Sequence, residues 1–232
     1  MSKTNVFDQL FFSDSIDKTL YNNFDNFLIK SVPRKEIKDF VERNHYSHNI
    51  NGLKISTCTG LYIQNQLVGA CVFGRLSTTA WKKFSDSENK VMELRRVVLI
   101  DELPKNSESY FIRRSIKIMR KENPEVEILV SYADPEYGHN GIIYQALNFL
   151  YIGDTPQDKI LITPEGKRYH SRAMRTTYKG KLKPFAIKLR QLYKDGKLSE
   201  KIISGKRCYI LPLTKKERKK WINKRKSYPK EK

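Results

Sequence analysis

The run Val126-Glu127-Ile128-Leu129-Val130-Ser131-Tyr132-Ala133-Asp134 constrains this chain more than any other segment. It is dominated by aliphatic and aromatic residues and is cut off by Pro135, so it reads as a buried strand. A polar loop with Gly138, His139 and Gly141 follows. The apolar stretch from Ile142 to Tyr151 is then expected to be a helix ended by Gly153. A buried strand feeding a helix belongs in a layered α/β domain.

The elements before it agree. A helix is expected from near Ser31, with Pro33 in its first turn and Ile37, Phe40 and Val41 at three- to four-residue spacing. It runs out at Asn44-His45-Tyr46-Ser47-His48, and a turn covers 49–52. The β-rich runs 59–63 and 67–73 flank Gln64-Asn65-Gln66 and predict a hairpin. A polar loop carrying Trp81 spans 77–89, and Met92 to Leu99 is a third strand. Pro104 precedes a helix capped by Asn106 or Ser107, whose apolar stripe is Tyr110, Ile112, Ile116 and Met119. Further on, the strands 159–162 and 206–211 bracket a helix from Pro184 with Phe185, Leu189 and Leu192 on one face. A basic helix or tail around Trp221 closes the chain. Residues 1–31 read as an N-terminal arm or short helix. This order gives an α/β fold, a mixed sheet with helices on both faces and a basic C-terminal extension.

Charge is distributed unevenly. Of a formal net charge of +20, residues 165–232 hold 24 Lys and Arg against 5 Asp and Glu, which leaves +19 in that segment and a near-neutral remainder. A dense cationic block on a neutral body points to a polyanionic partner, because each neutralised phosphate releases condensed counterions. The bland alternative is a solvated tail. With 39% hydrophobic residues the chain has enough apolar material for a core. Cys58, Cys71 and Cys208 are too scattered for a disulfide framework and form no CxxC pair, so they read as core residues in a reducing compartment. No run approaches the roughly 20 apolar residues of a membrane span, so a cytoplasmic location is expected.

Four clusters carry possible chemistry. In Ser131 to Gly141, Asp134 sits where a strand ends, a usual place for ligands in α/β sheets, and can act as a general base or orient an amine. Tyr144, one turn into the next helix, can donate a proton. Equally, Asp134 can be a turn cap and Tyr144 a core aromatic. His45 and His48 are spaced to share a helix face, but two histidines do not complete a metal site; a substrate-contacting loop or a plain helix terminus also fits. In Glu93-Leu94-Arg95-Arg96, strand alternation sends the two arginines to opposite faces, and a buried arginine needs an anionic partner. Lys167-Arg168-Tyr169-His170-Ser171-Arg172, with Arg175 and Tyr178, interleaves cations and aromatics as phosphate contacts and base stacking require.

Together these segments resemble the Mom family of phage DNA adenine-modification proteins. The matching pieces are His45-Tyr46-Ser47, the strand from Gly69 with Gly74, Glu93 to Arg96, Ser131 to Asp134, Gly138-His139-Asn140-Gly141, Tyr144-Gln145-Ala146 and His170-Ser171-Arg172. The resemblance runs from about Arg34 to Tyr178 and implies a GNAT (acyltransferase-like) core over 32–180; outside it, the charge of 181–232 reads as a basic segment packed on the core and contacting nucleic acid. It implies a transferase that converts the adenine N6 amine in DNA to a carbamoylmethyl derivative, shielding phage DNA from restriction inside an infected bacterium. By that resemblance Asp134 holds or deprotonates the amine, and Tyr144 donates a proton or clamps substrate. Tyr46 lines the base pocket, and Arg96 pairs with an anionic cofactor or with Asp134. His45, Ser131, His139, Arg95, His170 and Arg172 are expected to touch substrate. Lys105, Asn106 and Ser107 are expected on the cofactor side. The family also implies iron, for which the sequence offers no complete ligand set.

The donor is left open, because residues 100–107 lack the glycines with which GNAT proteins wrap the pyrophosphate of acyl-CoA. A target adenine must be flipped out of a duplex or presented unpaired. An N-acyltransferase acting on RNA or protein amines and a non-catalytic DNA-binding protein are the alternatives.

Overall fold

A computed structural model describes residues 23–50, 54–76 and 79–230. Most of the expected N-terminal arm, part of the 49–52 turn and the start of the Trp81 loop lie outside the described residues. The described chain divides into two compact units. One holds residues up to 131 with 143–149 and 210–223; the other holds 132–142, 150–209 and the residues beyond 223.

The first unit is built on an antiparallel meander. Strand β1 (Leu28–Ser31) pairs with β2 (Ile55–Ile63), β2 with β3 (Gln66–Gly74), and β3 with β4 (Val91–Leu99). The β2–β3 turn is tighter than three residues: Ile63 pairs with Gln66, and Gln64 and Asn65 both take positive φ (48° and 65°). That is the geometry whose twist matches two flanking strands. Helix α1 (Arg34–Asn44) lies between β1 and β2 in sequence, and α2 (Ser107–Glu122) between β4 and β5 (Ile128–Ala133). Strand β5 runs parallel to β4, as a connection through a helix allows.

Alternation along β2 and β3 supplies both helices with a floor. Cys58, Ala70 and Val72 join Ile37, Phe40 and Val41 of α1 in one core cluster. The intervening residues meet α2, where the Thr59 and Ser115 hydroxyls lie 2.6 Å apart. Helices therefore cover both faces, as the element order predicts. With β12 (Arg207–Pro212) and β6 (Leu150–Asp154) the mixed sheet has seven strands, in the order β1-β2-β3-β4-β5-β12-β6.

Three expectations change. Residues 28–31 are an edge strand, not an arm. The buried face of α2 is Phe111, Ile112, Ser115, Ile116 and Met119; Tyr110 sits at its margin, stacked on Phe24 at 4.6 Å. The helix foreseen from Ile142 to Tyr151 is a single short one, α3 (Ile142–Ala146). Asn148 takes a positive φ of 61°, and the apolar run continues as β6. An apolar segment this short fits a buried strand as well as a helix, and one left-handed residue decides between them.

The second unit contains a three-stranded antiparallel sheet, β11 (Ser199–Ile203), β7 (Asp158–Ile162) and β8 (Arg168–His170), in that order. A small hairpin, β9 (Thr177–Tyr178) and β10 (Lys181–Leu182), precedes helix α4 (Pro184–Lys194). The last helix, α5 (Lys215–Ile222), belongs to the first unit. There Trp221 is buried, donating to Glu217 at 3.1 Å.

Candidate active site

In the first unit the functional groups gather where β4 leaves β5. The parallel ladder pairs Val91–Glu93 with Ile128–Val130 and goes no further, although both strands continue. At the first unpaired step a side chain replaces the backbone. The buried Ser131 hydroxyl donates to the Leu94 carbonyl at 3.1 Å. Ser131 Oγ also hydrogen-bonds the Tyr144 hydroxyl. Tyr144 is a half-buried residue whose ring packs on Phe149 at 5.5 Å and whose hydroxyl is enclosed. Burial pushes that phenol up to about 12, against a smaller lowering by Ser131. At neutral pH it is therefore a proton donor and not a base.

Strand β4 is irregular at the same place. Val72 pairs with Arg96 and Phe73 with Leu94, so Arg95 is an extra residue bulged out of register. The strict alternation expected for Arg95 and Arg96 is suspended here. Arg95 pairs with Glu93 at 3.3 Å and donates to the Arg75 carbonyl, and both Glu93 and Arg95 act on the charge of Arg96. The buried Nε of Arg95 has no hydrogen-bond partner among the described residues. Arg96 donates to the Asn49 carbonyl at 3.3 Å and to its neighbour's carbonyl at 2.7 Å. Burial lowers its pKa, and the nearby Tyr46 and Glu93 oppose that.

Tyr46 follows the end of α1 and is 39% exposed. Its charge state bears on both Arg96 and Tyr144, which places these three expected residues in one neighbourhood. His45 beside it is buried, 4.3 Å from the Tyr46 ring. His45 Nδ1 accepts from the Ser47 amide at 3.1 Å, so the neutral ring carries its proton on Nε2. The two histidines do not share a helix face, because α1 ends at Asn44 and His48 takes a positive φ. Among the described residues no three His, Cys, Asp or Glu side chains come together as a metal-holding group. The residues described thus do not fit an iron centre.

Lys105, Asn106 and Ser107 open α2. Asn106 is left-handed (φ 72°) and makes no side-chain cap, while the Ser107 hydroxyl donates to the Pro104 carbonyl at 2.6 Å. A phosphate there would meet first-turn amides and the exposed Lys105. Residues 100–107 lack the glycine cradle with which acyl-CoA is bound, so these residues do not fit that cofactor.

In the second unit Asp134 is buried and holds two partners. One carboxylate oxygen accepts from the Glu136 amide at 3.1 Å, capping a short 3₁₀ turn, and the other meets Lys206 Nζ at 2.9 Å. It is both a cap and an ion-paired acid. The loop after it ends at Gly141, where φ is 80° and a Cβ would lie 2.3 Å from the Tyr209 ring. The Tyr209 hydroxyl donates to the Asn140 carbonyl at 2.6 Å and fixes the loop. Gly141→Ala is expected to destabilise by well over the roughly 1 kcal/mol that a left-handed backbone alone costs. Gly138→Ala, with φ 73° but open space around it, is expected to cost only that backbone term. Thermal melts of the two variants make the comparison.

His139 is exposed. His170 pairs with Asp158, and its Nδ1 accepts from the Arg172 amide at 3.2 Å. Burial first and then Arg172 pull its pKa down, with Asp158 opposing. Arg172 is exposed. Lys206 and Tyr209 carry no local signal in the sequence; they reach the 134–141 loop from some 70 residues away, on and beside β12.

The sequence matches the Mom protein family across residues 26–230. The chain belongs to that family. It is 31% identical over 147 residues to the methylcarbamoylase Mom of Escherichia phage Mu, an alignment covering 62% of this chain and 59% of that protein. The chain thus spans less than two thirds of the phage Mu protein's length. Among solved structures, yncA of Salmonella typhimurium, determined with acetyl-CoA, is similar at TM-score 0.46 and 9% identity, covering 82% of this chain and 95% of yncA. An N-acetyltransferase from Staphylococcus aureus is similar at TM-score 0.44 and 12% identity, covering 82% and 99%. Every expected site residue of this Mom-family chain falls inside the matched region.

Proposed function

We propose that this Mom-family chain is a DNA-modifying transferase that converts the N6 amine of adenine to a carbamoylmethyl derivative. The observation that carries the reading is the family match over residues 26–230, which contains the whole Tyr46–Arg96–Tyr144 neighbourhood. In the reaction an N6–H bond is replaced by an N6–C bond, and the donor's leaving group gains a proton. Tyr144, protonated at neutral pH, suits the second task. Asp134, an acceptor paired with Lys206 at 2.9 Å, suits the first, accepting or orienting the amine proton. Tyr46, half-exposed beside Arg96, offers a face for the base, and Arg96 with the orphaned Arg95 Nε offers donors to an anionic donor group.

Adenine N6 faces its pairing partner inside a duplex, so the base must leave the stack before any enclosed phenol reaches it. DNA from bacteria expressing the chain is expected to resist restriction enzymes whose sites contain adenine. Full cutting of that DNA, with soluble chain present in the cells, would overturn the reading.

A further inference from the structure

Residues 166–194 contain ten Lys and Arg and no Asp or Glu, so this stretch cannot neutralise itself. Within it lies the β9–β10 hairpin. Tyr178 pairs with Lys181 and Thr177 with Leu182, leaving Lys179-Gly180 as a two-residue turn with φ of 48° and 75°. Asparagine is favoured at the first of these positions, because side chains rarely accept positive φ there. A lysine at the tip therefore places a cation where backbone preference argues against it, a kind of local strain that collects at functional positions.

The base of the hairpin is held firmly. The Lys183 amide donates to the Thr176 carbonyl at 2.9 Å, Pro184 opens α4, and Arg190 Nε reaches the Met174 carbonyl at 2.8 Å. Tyr178 is 65% exposed, with Lys179 Nζ 5.6 Å from its ring centre. Tyr178, Lys179, Lys181, Leu182, Lys183 and Pro184 line an open cleft of about 680 Å³. Among the described residues none of these three lysines is within ion-pair distance of a carboxylate. An aromatic plane left in water among unneutralised cations complements a polymer with both phosphates and flat bases.

We propose that this hairpin is a DNA-gripping element: Lys179, Lys181 and Lys183 neutralise backbone phosphates, and Tyr178 stacks on a base exposed beside them. The proposal rests on the reading of DNA as substrate and adds where the strand is held. It involves none of the residues assigned to chemistry.

The test uses the full chain and a fluorescently labelled adenine-containing duplex with one unpaired base, with affinity measured by anisotropy over a range of KCl concentrations. Replacing the three lysines with serine is expected to lower the slope of log affinity against log salt by about 2.7, near 0.9 for each phosphate that is no longer neutralised. Tyr178→Ala weakens binding about tenfold, and Tyr178→Phe restores it. Lys179→Asn provides a second check, because it suits the turn better: the protein melts no lower than wild type, yet its salt slope falls by about 0.9. Unchanged slope and affinity in the triple variant, with wild type binding normally, overturn the hairpin assignment alone. A wild-type chain that does not bind the duplex overturns the DNA reading and this proposal with it.

Discussion

Tyr144→Phe is expected to lower the proposed adenine modification by about 10²- to 10⁴-fold, the range set by losing a positioned proton donor, and to leave DNA affinity unchanged. The ring keeps its place against Phe149, so the fold survives. What disappears is a hydroxyl enclosed beside Ser131 at the point where β4 and β5 part. The serine keeps its bond to the Leu94 carbonyl, so the lost hydrogen bond costs only about 1 kcal/mol of stability.

The pH dependence follows from the direction of the shift. Burial holds the phenol at about 12, so Tyr144 stays protonated throughout the neutral and mildly alkaline range. Its titration therefore adds no loss of rate below about pH 10. Stability behaves differently. The unfolded chain releases this proton near pH 10 and the folded chain only near 12. The contribution is complete below 10 and is lost as pH rises through that interval. Tyr144→Phe removes this part of the alkaline loss, which melts at pH 9 and pH 11 will register. A phenylalanine variant that modifies DNA at the wild-type rate removes Tyr144 from the chemistry.

Asp134→Asn is the second large effect, with modification expected to fall by a similar factor of about 10²–10⁴. The amide oxygen can still cap the 3₁₀ turn through the Glu136 amide. Its NH₂ group, however, faces the Lys206 ammonium, donor against donor. Breaking a fully buried ion pair costs about 3–5 kcal/mol. Here Lys206 is 49% exposed and can turn to water, so the expected loss of stability is nearer 1–2 kcal/mol. Lys206→Met keeps the carboxylate and removes its cation. It is expected to retain more activity than Asp134→Asn when both are compared in the same modification assay. Equal losses would mean that the pair as a whole supports the loop and that the carboxylate has no separate task.

What could be read from the sequence was mostly local. The β2–β3 hairpin, β4, the body of α2 and β5 announce themselves through period and punctuation over fewer than twenty residues. Short motifs from His45 to Arg172 carry the family resemblance, the stretch from Ser131 to Gly153 most specifically. Distant or single-residue determinants stayed hidden. Asn148 turns the chain with one positive φ and converts half of an expected helix into β6. The bulge at Arg95 appears only when β3 and β4 are laid side by side, and it rather than alternation aims the two arginines. Lys206 and Tyr209 reach the Asp134 loop through strand pairing across some 70 residues. The β9–β10 hairpin is built from two-residue strands of Thr, Tyr, Lys and Leu, too short for any periodicity to register.

Nucleoside analysis of DNA from cells making the chain weighs most directly on the claim that its enclosed phenol works on adenine. DNA from cells expressing wild type, digested to nucleosides and analysed by mass spectrometry, should contain an adenosine derivative heavier by one carbamoylmethyl group. Tyr144→Phe, present at equal level and still binding DNA, should leave almost none. Only ordinary deoxyadenosine in the wild-type sample, or the same derivative at equal yield from both, would contradict the account.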